Sequence, residues 1–351
     1  MSNSARFISI YYRFNFMCLF QQTCPNCKSL KFYNYSTYET KCDGMRHLFK
    51  CDDCDYIFSE TANTLLFNLK TRVSRIALVL KSRTEGLSFN ATCRTFNLGT
   101  HTLTKWENLF SGLKDTLMAY SLANTFLESV IEGDELYTKV HHNTEPLESE
   151  GWTIMLLDRA SRFIWELSCG EKDQEMFMKA IKTLVSVIDQ TEDITLVTDG
   201  ERRYGNCLFQ ICHELLKTGK PGRPKTVLKK GVKARIKNKG NNKNKSGPRK
   251  DKYQTPKAEH PETTQNIINS DIHANHCEGQ NSAIRRRNSA FRRRTNTYAK
   301  CKNALQRTLD TYWVFHNFIK KHFSTKEVPS VSIGITKNGF SWSEIFRIKI
   351  A

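Results

Sequence analysis

Two cysteine pairs near the amino-terminal end constrain this chain more than any other feature. Cys24-Pro-Asn-Cys27 and Cys51-Asp-Asp-Cys54 are C-x2-C knuckles with 23 residues between them. Each knuckle can close a tight turn, and the pair offers four thiolates, the ligand set that a tetrahedral structural zinc takes. The sequence between them is aromatic and Thr-rich (Phe32, Tyr33, Tyr35, Tyr38), which predicts strands. A zinc ribbon over residues 23–60 is expected, with Zn2+ on Cys24, Cys27, Cys51 and Cys54. The gap is slightly longer than the usual ribbon spacing, which longer strands accommodate. Cys42, inside the same stretch, reads as a core residue and not as a fifth ligand.

Of the 12 cysteines, five lie in this stretch and the other seven are scattered singly. That distribution argues for metal-binding thiols in a reducing cytoplasm, not for a disulfide framework. The opening residues 1–22 carry Arg6 and Arg13 within an aromatic run and have no small-residue cleavage site, so they do not read as an export signal. They are set aside as a lead-in without an assigned role. No apolar run approaches the ~20 residues of a membrane span.

The chain has 351 residues and a net charge of +19. That excess favours polyanions, because displacing counterions from phosphates drives binding. It is concentrated: residues 217–257 hold 16 Lys and Arg against one acid, Asp251, and so carry +15 of the +19. With few apolar residues, segment 217–262 is expected to be a disordered basic insertion lying on DNA phosphates. Lys220-Pro-Gly-Arg223-Pro-Lys225 within it resembles part of an AT-hook, which would put Arg223 in a minor groove.

After the ribbon, residues 70–122 have the spacing of a helix-turn-helix domain. Val73, Ile76, Ala77 and Leu80 mark one helical face, Gly86 interrupts, and Ser88 can cap a short helix over 89–96. Asn97 suits the following turn, and a third helix over about 100–110 buries Leu103 and Trp106. Its outward residues Thr100, His101, Thr104 and Lys105 could reach base edges in a major groove. A plain three-helix packing unit is the competing reading.

From residue 126 the pattern alternates between strands and helices. Strands are expected over Ser129–Tyr137, Trp152–Asp158 and Phe163–Ser168, then a helix marked by Phe177, Ala180, Ile181, Leu184 and Ile188, then a strand over Ile194–Asp199. The order β-β-β-α-β, with acids on the first and fourth strands, matches an α/β RNase H-like core: a mixed sheet with flanking helices. A last helix, about Asn303–His322, should pack on that sheet, with His316 a partly buried neighbour and not a ligand. The core is expected to span 126–323, leaving 324–351 as a carboxyl-terminal tail.

Phosphodiester cleavage with divalent metal needs carboxylates, because magnesium takes hard oxygen ligands and two cations can stabilise the attacking and leaving oxygens together. Asp134 and Asp199 fall on strands expected to lie side by side, and Glu278 on a later helix. In that helix Glu278, Asn281 and Arg285 share a face at i, i+3 and i+7. Asn281 could orient Glu278, and Arg285 could hold a phosphate. Glu132, Glu135 and Asp158 are rivals for the first position, although Asp158 looks like a turn former. Any one of these acids alone is more often a solvated or capping residue; their order along the chain is what singles the trio out.

Glu132-Gly-Asp134-Glu135, Val197-Thr-Asp199-Gly-Glu-Arg-Arg-Tyr204 and Glu278-x-x-Asn281-x-x-x-Arg285 resemble the three acidic motifs of DDE transposases. Among these the chain is most similar to the insertion sequence one family, which places a zinc finger and helix-turn-helix before the catalytic domain. The ISXO-like group combines a zinc ribbon with such a core as well. The resemblance spans about Cys24 to His322. It implies a catalytic triad of Asp134, Asp199 and Glu278 holding Mg2+ or Mn2+, with Asn281 and Arg285 in support. It also implies double-stranded DNA as partner, at terminal inverted repeats and target, bound by a dimer or larger assembly on the nucleoid. A non-enzymatic zinc-ribbon and helix-turn-helix regulator with a degenerate core is the alternative. A junction-resolving nuclease fits less well, since such enzymes seldom carry a sequence-reading module in front.

Overall fold

The computed structural model describes residues 19–42, 44–125, 129–142, 145–188, 193–216, 222–238, 254–262, 275–293 and 296–350. The chain divides into two compact units, one of Met1–Asn124 with Asn338–Ala351 and one of Thr125–Lys337. Most of the lead-in lies outside the described residues, as do residues 217–221 and 239–253 of the basic tract.

The first unit begins with a three-stranded antiparallel sheet, β1 (Phe32–Thr40), β2 (Gly44–Cys51) and β3 (Ile57–Ser59). Its small core is Cys24, Cys51, Phe58 and Ala62, with Phe32 and Phe49 packed against them. Three helices follow, α1 (Val73–Thr84), α2 (Phe89–Phe96) and α3 (Thr100–Ser111), and a fourth, α4 (Leu113–Ala123), continues from α3. The local signals set these boundaries. Ser88 caps α2 by accepting from the Ala91 N–H, and Asn97 ends it in the left-handed conformation (φ 49°). Ile76, Val79 and Leu80 on α1 and Leu103, Trp106 and Phe110 on α3 are all buried. A buried ion pair, Arg83 Nε to Glu107 Oε1 at 2.6 Å, ties α1 to α3.

Residues 324–350 are built into the fold, contrary to the expected tail over 324–351. Their apolar side chains explain why: Trp342 stacks on Phe110 at 5.3 Å, Phe346 lies 6.0 Å from the same ring, and Ile345 and Ile348 are fully buried. Lys349 reaches the carbonyls of Glu60 and Ala62, while its N–H bonds the Leu19 carbonyl at 2.8 Å.

The second unit is a mixed α/β fold around a six-stranded sheet. Its strands are β4 (Ser129–Tyr137), β5 (Trp152–Asp158), β6 (Ile164–Gly170), β7 (Ile194–Thr198), β10 (Val232–Asn238) and β11 (Gln254–Ala258). The spatial order is β11-β10-β7-β4-β5-β6. β4, β5 and β6 are an antiparallel meander, whereas β7 runs parallel to both β4 and β10. Helix α5 (Gln174–Ile188) carries the chain from β6 across to β7, and α6 (Arg202–Ile211) leads on towards β10; a small pair, β8 (His213–Leu216) with β9 (Lys225–Leu228), lies between. The parallel pairs require such helical crossovers.

β10 and β11 correct the expectation of a disordered segment 217–262. Val232, Ala234 and Ile236 alternate with Lys233, Arg235 and Lys237, and β10 sits inside the sheet between β7 and β11. Two of these cations reach acids: Lys233 pairs with Asp193 at 2.9 Å and Arg235 with Glu262 at 2.8 Å. Composition alone hid a period-2 strand in which two of the three cations on the charged face are neutralised by partners from elsewhere.

The outer edge of β6 is covered by helix α8 (Lys302–Val314) and its continuation Phe315–Ile319. The Asn317 amide both accepts from and donates to the Ile164 backbone at 2.9 Å, Trp313 Nε1 donates to the same carbonyl, and Gln306 bonds Cys169 N–H and the Leu167 carbonyl. Side chains thus satisfy an edge that would otherwise offer itself to another strand. His316 in this continuation is fully buried, more so than expected. It shares a hydrogen bond with Arg162's carbonyl (2.9 Å) and lies 3.3 Å from the Gln280 amide.

Burial holds the His316 ring at about 3, against the Arg162 carbonyl, which favours the charged form. The unfolded chain therefore takes up a proton below the ordinary value of ~6.5 that the fold refuses, so stability drains as pH falls from that value. Between pH 7 and pH 5.5 the His316→Gln variant should lose roughly 1 kcal/mol less unfolding free energy than wild type, measured by urea titration.

Candidate functional site

Two constellations can carry chemistry. The first is the cysteine cluster. Lys28 N–H bonds the Cys24 carbonyl and Asp55 N–H the Cys51 carbonyl, so the knuckles have the same backbone form. Each is followed by a residue of positive φ, Lys28 at 63° and Asp55 at 56°. This brings Cys24 and Cys54 Sγ to 3.6 Å and Cys27 and Cys51 Sγ to 3.5 Å, with all four sulfurs within 4.8 Å of one another. A tetrahedron of Zn–S bonds near ~2.3 Å puts its sulfurs roughly 3.8 Å apart, so the cluster can hold zinc with little movement. Within this cluster the Tyr56 N–H and the Asn26 side chain lower the Cys54 thiol, while the bond to Cys54 raises that of Cys27. Cys42 stands outside the cluster and bonds the Lys70 carbonyl. Chelating the metal from the full-length chain should expose amides of residues 24–62 to rapid hydrogen exchange while β4–β7 keep their protection; unchanged exchange would refute a structural metal.

The second constellation is acidic and lies at one end of the large sheet. Its organiser is Glu132, on β4 and without solvent exposure. One oxygen accepts from His276 Nδ1 (2.6 Å) and Arg159 Nε (3.0 Å); the other accepts from the backbone N–H groups of His276 (3.0 Å) and Cys277 (3.1 Å). Those N–H groups open helix α7 (His276–Arg287), whose own Asn275 makes no side-chain cap. A distant carboxylate thus does what a local cap usually does, where the helix dipole favours negative charge. Burial alone would raise Glu132, but these donors and the charges of His276 and Arg159 prevail and hold it at about 2.

Docked in this way, α7 carries Glu278 on its exposed side and Asn281 buried against the sheet. Asn281 Nδ2 donates to Asp134 Oδ2 at 2.9 Å. This departs from the expectation that Asn281 orients Glu278: in the helical register it points back to β4. The other oxygen, Asp134 Oδ1, accepts the Glu135 N–H at 2.8 Å, and the buried Tyr204 hydroxyl donates to the Asp134 carbonyl at 3.2 Å. Asp199 follows β7 directly and is exposed; Gly200 after it, at φ +113°, makes a turn that a side chain would strain.

Asp134 is raised above the usual carboxylate range, first by burial and then by the charges of Asp199 and Glu278, with Lys237 opposing. Asp134 therefore feels both of the other acids. Among the described residues only the cysteines bring three or more ligand atoms within 4.8 Å, so the acids stand wider apart, as mutually repelling carboxylates do. Beside them the buried Asn281 Oδ1 has no hydrogen-bond partner among the described residues. An acidic group of this kind, with an unsatisfied oxygen, fits a hydrated divalent cation.

The remaining expected residues are distributed as follows. Arg285 lies half-buried in the last turn of α7. Thr100, His101 and Lys105 are exposed and Thr104 half-buried on the first turns of α3, and Arg223 is exposed just before β9. Of the rival acids, Asp158 is a turn former, accepting from the Ser161 N–H and hydroxyl, and Glu135 pairs with Lys172 at 3.1 Å. Glu132, His276 and Arg159 were missed as the anchor; the only sequence signal was an acid inside an apolar strand. No helix among the described residues is long and apolar enough to cross a membrane.

In comparison with known proteins, the chain matches no family model and no curated protein.

Removing the anchor should be costly. Glu132→Ala leaves Arg159, a histidine and two helix N–H groups without their acceptor and should destabilise the second unit by about 3–5 kcal/mol. Hydrogen exchange should show α7 losing protection before β4–β6; equal protection in both variants would contradict the anchoring role.

Proposed function

We propose that this chain is a DDE-type transposase, most similar to the insertion sequence one family, which cuts and joins DNA strands with Mg2+ or Mn2+ held by Asp134, Asp199 and Glu278. The observation that carries the reading is the meeting of three acids from distant segments. β4 and β7 are adjacent and parallel, with Glu132 level with Val197, so Asp134 and Asp199 follow two residues later on neighbouring strands. Glu278 arrives on a helix fixed to the same β4, and its charge is felt at Asp134.

Further support comes from topology. Counting the strands of the second unit in chain order without the β8–β9 pair, the sheet reads 3-2-1-4-5 from β6 to β10, with strand 2 antiparallel to both its neighbours. That is the order of an RNase H-like core. The three-helix arrangement of α1–α3, with the exposed residues Thr100, His101 and Lys105 on α3, supports a helix-turn-helix that reads the element's terminal repeats. The cationic side chains of the basic tract, Arg223 among them, suit phosphate contacts that add affinity without sequence information.

Bound cations would neutralise the charge developing on the attacking and leaving oxygens. The chain's own residues prepare the place. Asn281 and the Glu135 N–H fix one oxygen each of Asp134, so its remaining lone pairs have a set direction. Glu132 holds the helix that brings Glu278, and Arg285, two turns further along α7, would contact a flanking phosphate.

The test is strand nicking and joining by the purified chain on duplexes carrying the DNA that flanks its gene. Wild type should act only with Mg2+ or Mn2+, and Asp199→Ala and Glu278→Ala should fall to the level of a protein-free control while keeping DNA affinity within about threefold, since phosphate contacts dominate that affinity. An Asp199→Ala variant that nicks like wild type would sink the triad. A chain that binds DNA tightly and never cuts it would instead favour a non-enzymatic DNA-binding regulator.

A further inference from the structure

β10 presents three cations on one face, at every second position: Lys233, Arg235 and Lys237. The first two are paired, with Asp193 and Glu262 as described. Lys237 is different. It is 7% exposed, yet among the described residues its ammonium has neither a hydrogen-bond nor an ion-pair partner. Its stem is buried while its ammonium keeps contact with solvent, so the three donors are available to a ligand.

The register shows what it serves. Ile236 is level with Thr198 on β7, so the next step along both strands sets Lys237 beside Asp199. Glu132 is level with Val197, so two steps along sets Asp134 beside Asp199 on the other side. Continued by one or two residues, this register brings Asp134 on β4, Asp199 just after β7 and Lys237 on β10 level with one another. The same register sets Lys237 at the end of the acidic row, next to Asp199. Yet it is not consumed in a salt bridge there: no carboxylate of the described residues comes within 4.0 Å. A cation at the end of a metal-binding row, close to carboxylates but unpaired, leaves its donors for an anion that enters between them.

Resting on the functional reading above, we propose that Lys237 is a further catalytic residue, whose ammonium binds a non-bridging oxygen of the phosphodiester being cut. Carboxylates carry the cations on one side of that phosphate and Lys237 neutralises the other. A point charge with three donors on a flexible stem suits a phosphate oxygen whose charge changes during the reaction. Lys233 and Arg235, held by their acids, serve the sheet.

The experiment uses the full-length chain with Lys237→Met, Lys237→Arg and Asp199→Asn. Mn2+ binding without DNA is measured by calorimetry, and cleavage is followed under single turnover on a saturating duplex carrying the gene's flanking DNA. Lys237→Met should bind Mn2+ as tightly as wild type or up to several-fold more tightly, because a repelling charge has gone, and this also shows that the variant is folded. Its maximal cleavage rate should fall about 100-fold, with half-saturating duplex concentration changed less than about threefold, since the contact strengthens in the transition state. Lys237→Arg should recover much of the rate, while Asp199→Asn should lose Mn2+ affinity. If wild type cleaves and Lys237→Met cleaves at the same rate, the phosphate contact is wrong and the transposase reading stands. If wild type binds Mn2+ through Asp199 but cleaves no duplex, both are overturned.

Discussion

Burying a carboxylate without partners costs several kcal/mol, so Glu132 can lie inside the sheet only because four donors converge on it. Those donors come from two places far apart in sequence, the turn after β5 and the start of α7. The consequence is geometric. Asp134 lies two residues beyond Glu132 on the same face of β4, and Glu278 lies one residue beyond Cys277, whose N–H the same carboxylate holds. Both sides of the acidic site are therefore measured from one side chain. A small slip of α7 would carry Asn281 away from Asp134 and leave Glu132 under-bonded, so the helix has one preferred register.

The same economy governs the rest of the charged residues. Cations that look from composition like a uniform polyanion-binding tract sort into two kinds in the folded chain. Lys233 and Arg235 are pinned by Asp193 and Glu262, and Arg83 by Glu107 in the other unit. Such pairs are weak sources of net stability, but losing one partner is expensive, which makes them sensitive markers of correct packing. Lys237, on the same face and without such a partner, stands out only against that background.

Much of this was legible in the sequence where the signal is local. The two knuckles, the Ser88 cap, the Asn97 turn and the limits of β4 and β5 each depend on neighbours within a few residues, and the structure has them where spacing puts them. What was not legible depends on partners far along the chain. β10 was hidden because its lysines and arginine mask a period-2 apolar set, and only Asp193 and Glu262, from elsewhere in the sequence, make that strand acceptable. Asn281 was assigned to Glu278 by helical spacing, which ranks neighbours on one helix but says nothing about a strand beneath it. Glu132 and Asp134 look alike in the sequence, which cannot distinguish a buried anchor from a half-buried acid two residues away.

The first unit is not contiguous: Trp342, Phe346 and Lys349 complete it after the whole of the second unit has been made. During synthesis its helices α1–α4 must therefore wait, with the Phe110 ring uncovered, until Trp342 and Phe346 have been made. A chain interrupted anywhere before residue 338 retains an exposed aromatic patch, which is the kind of surface that chaperones and proteases recognise. Truncated copies would then be cleared instead of persisting as partly folded fragments.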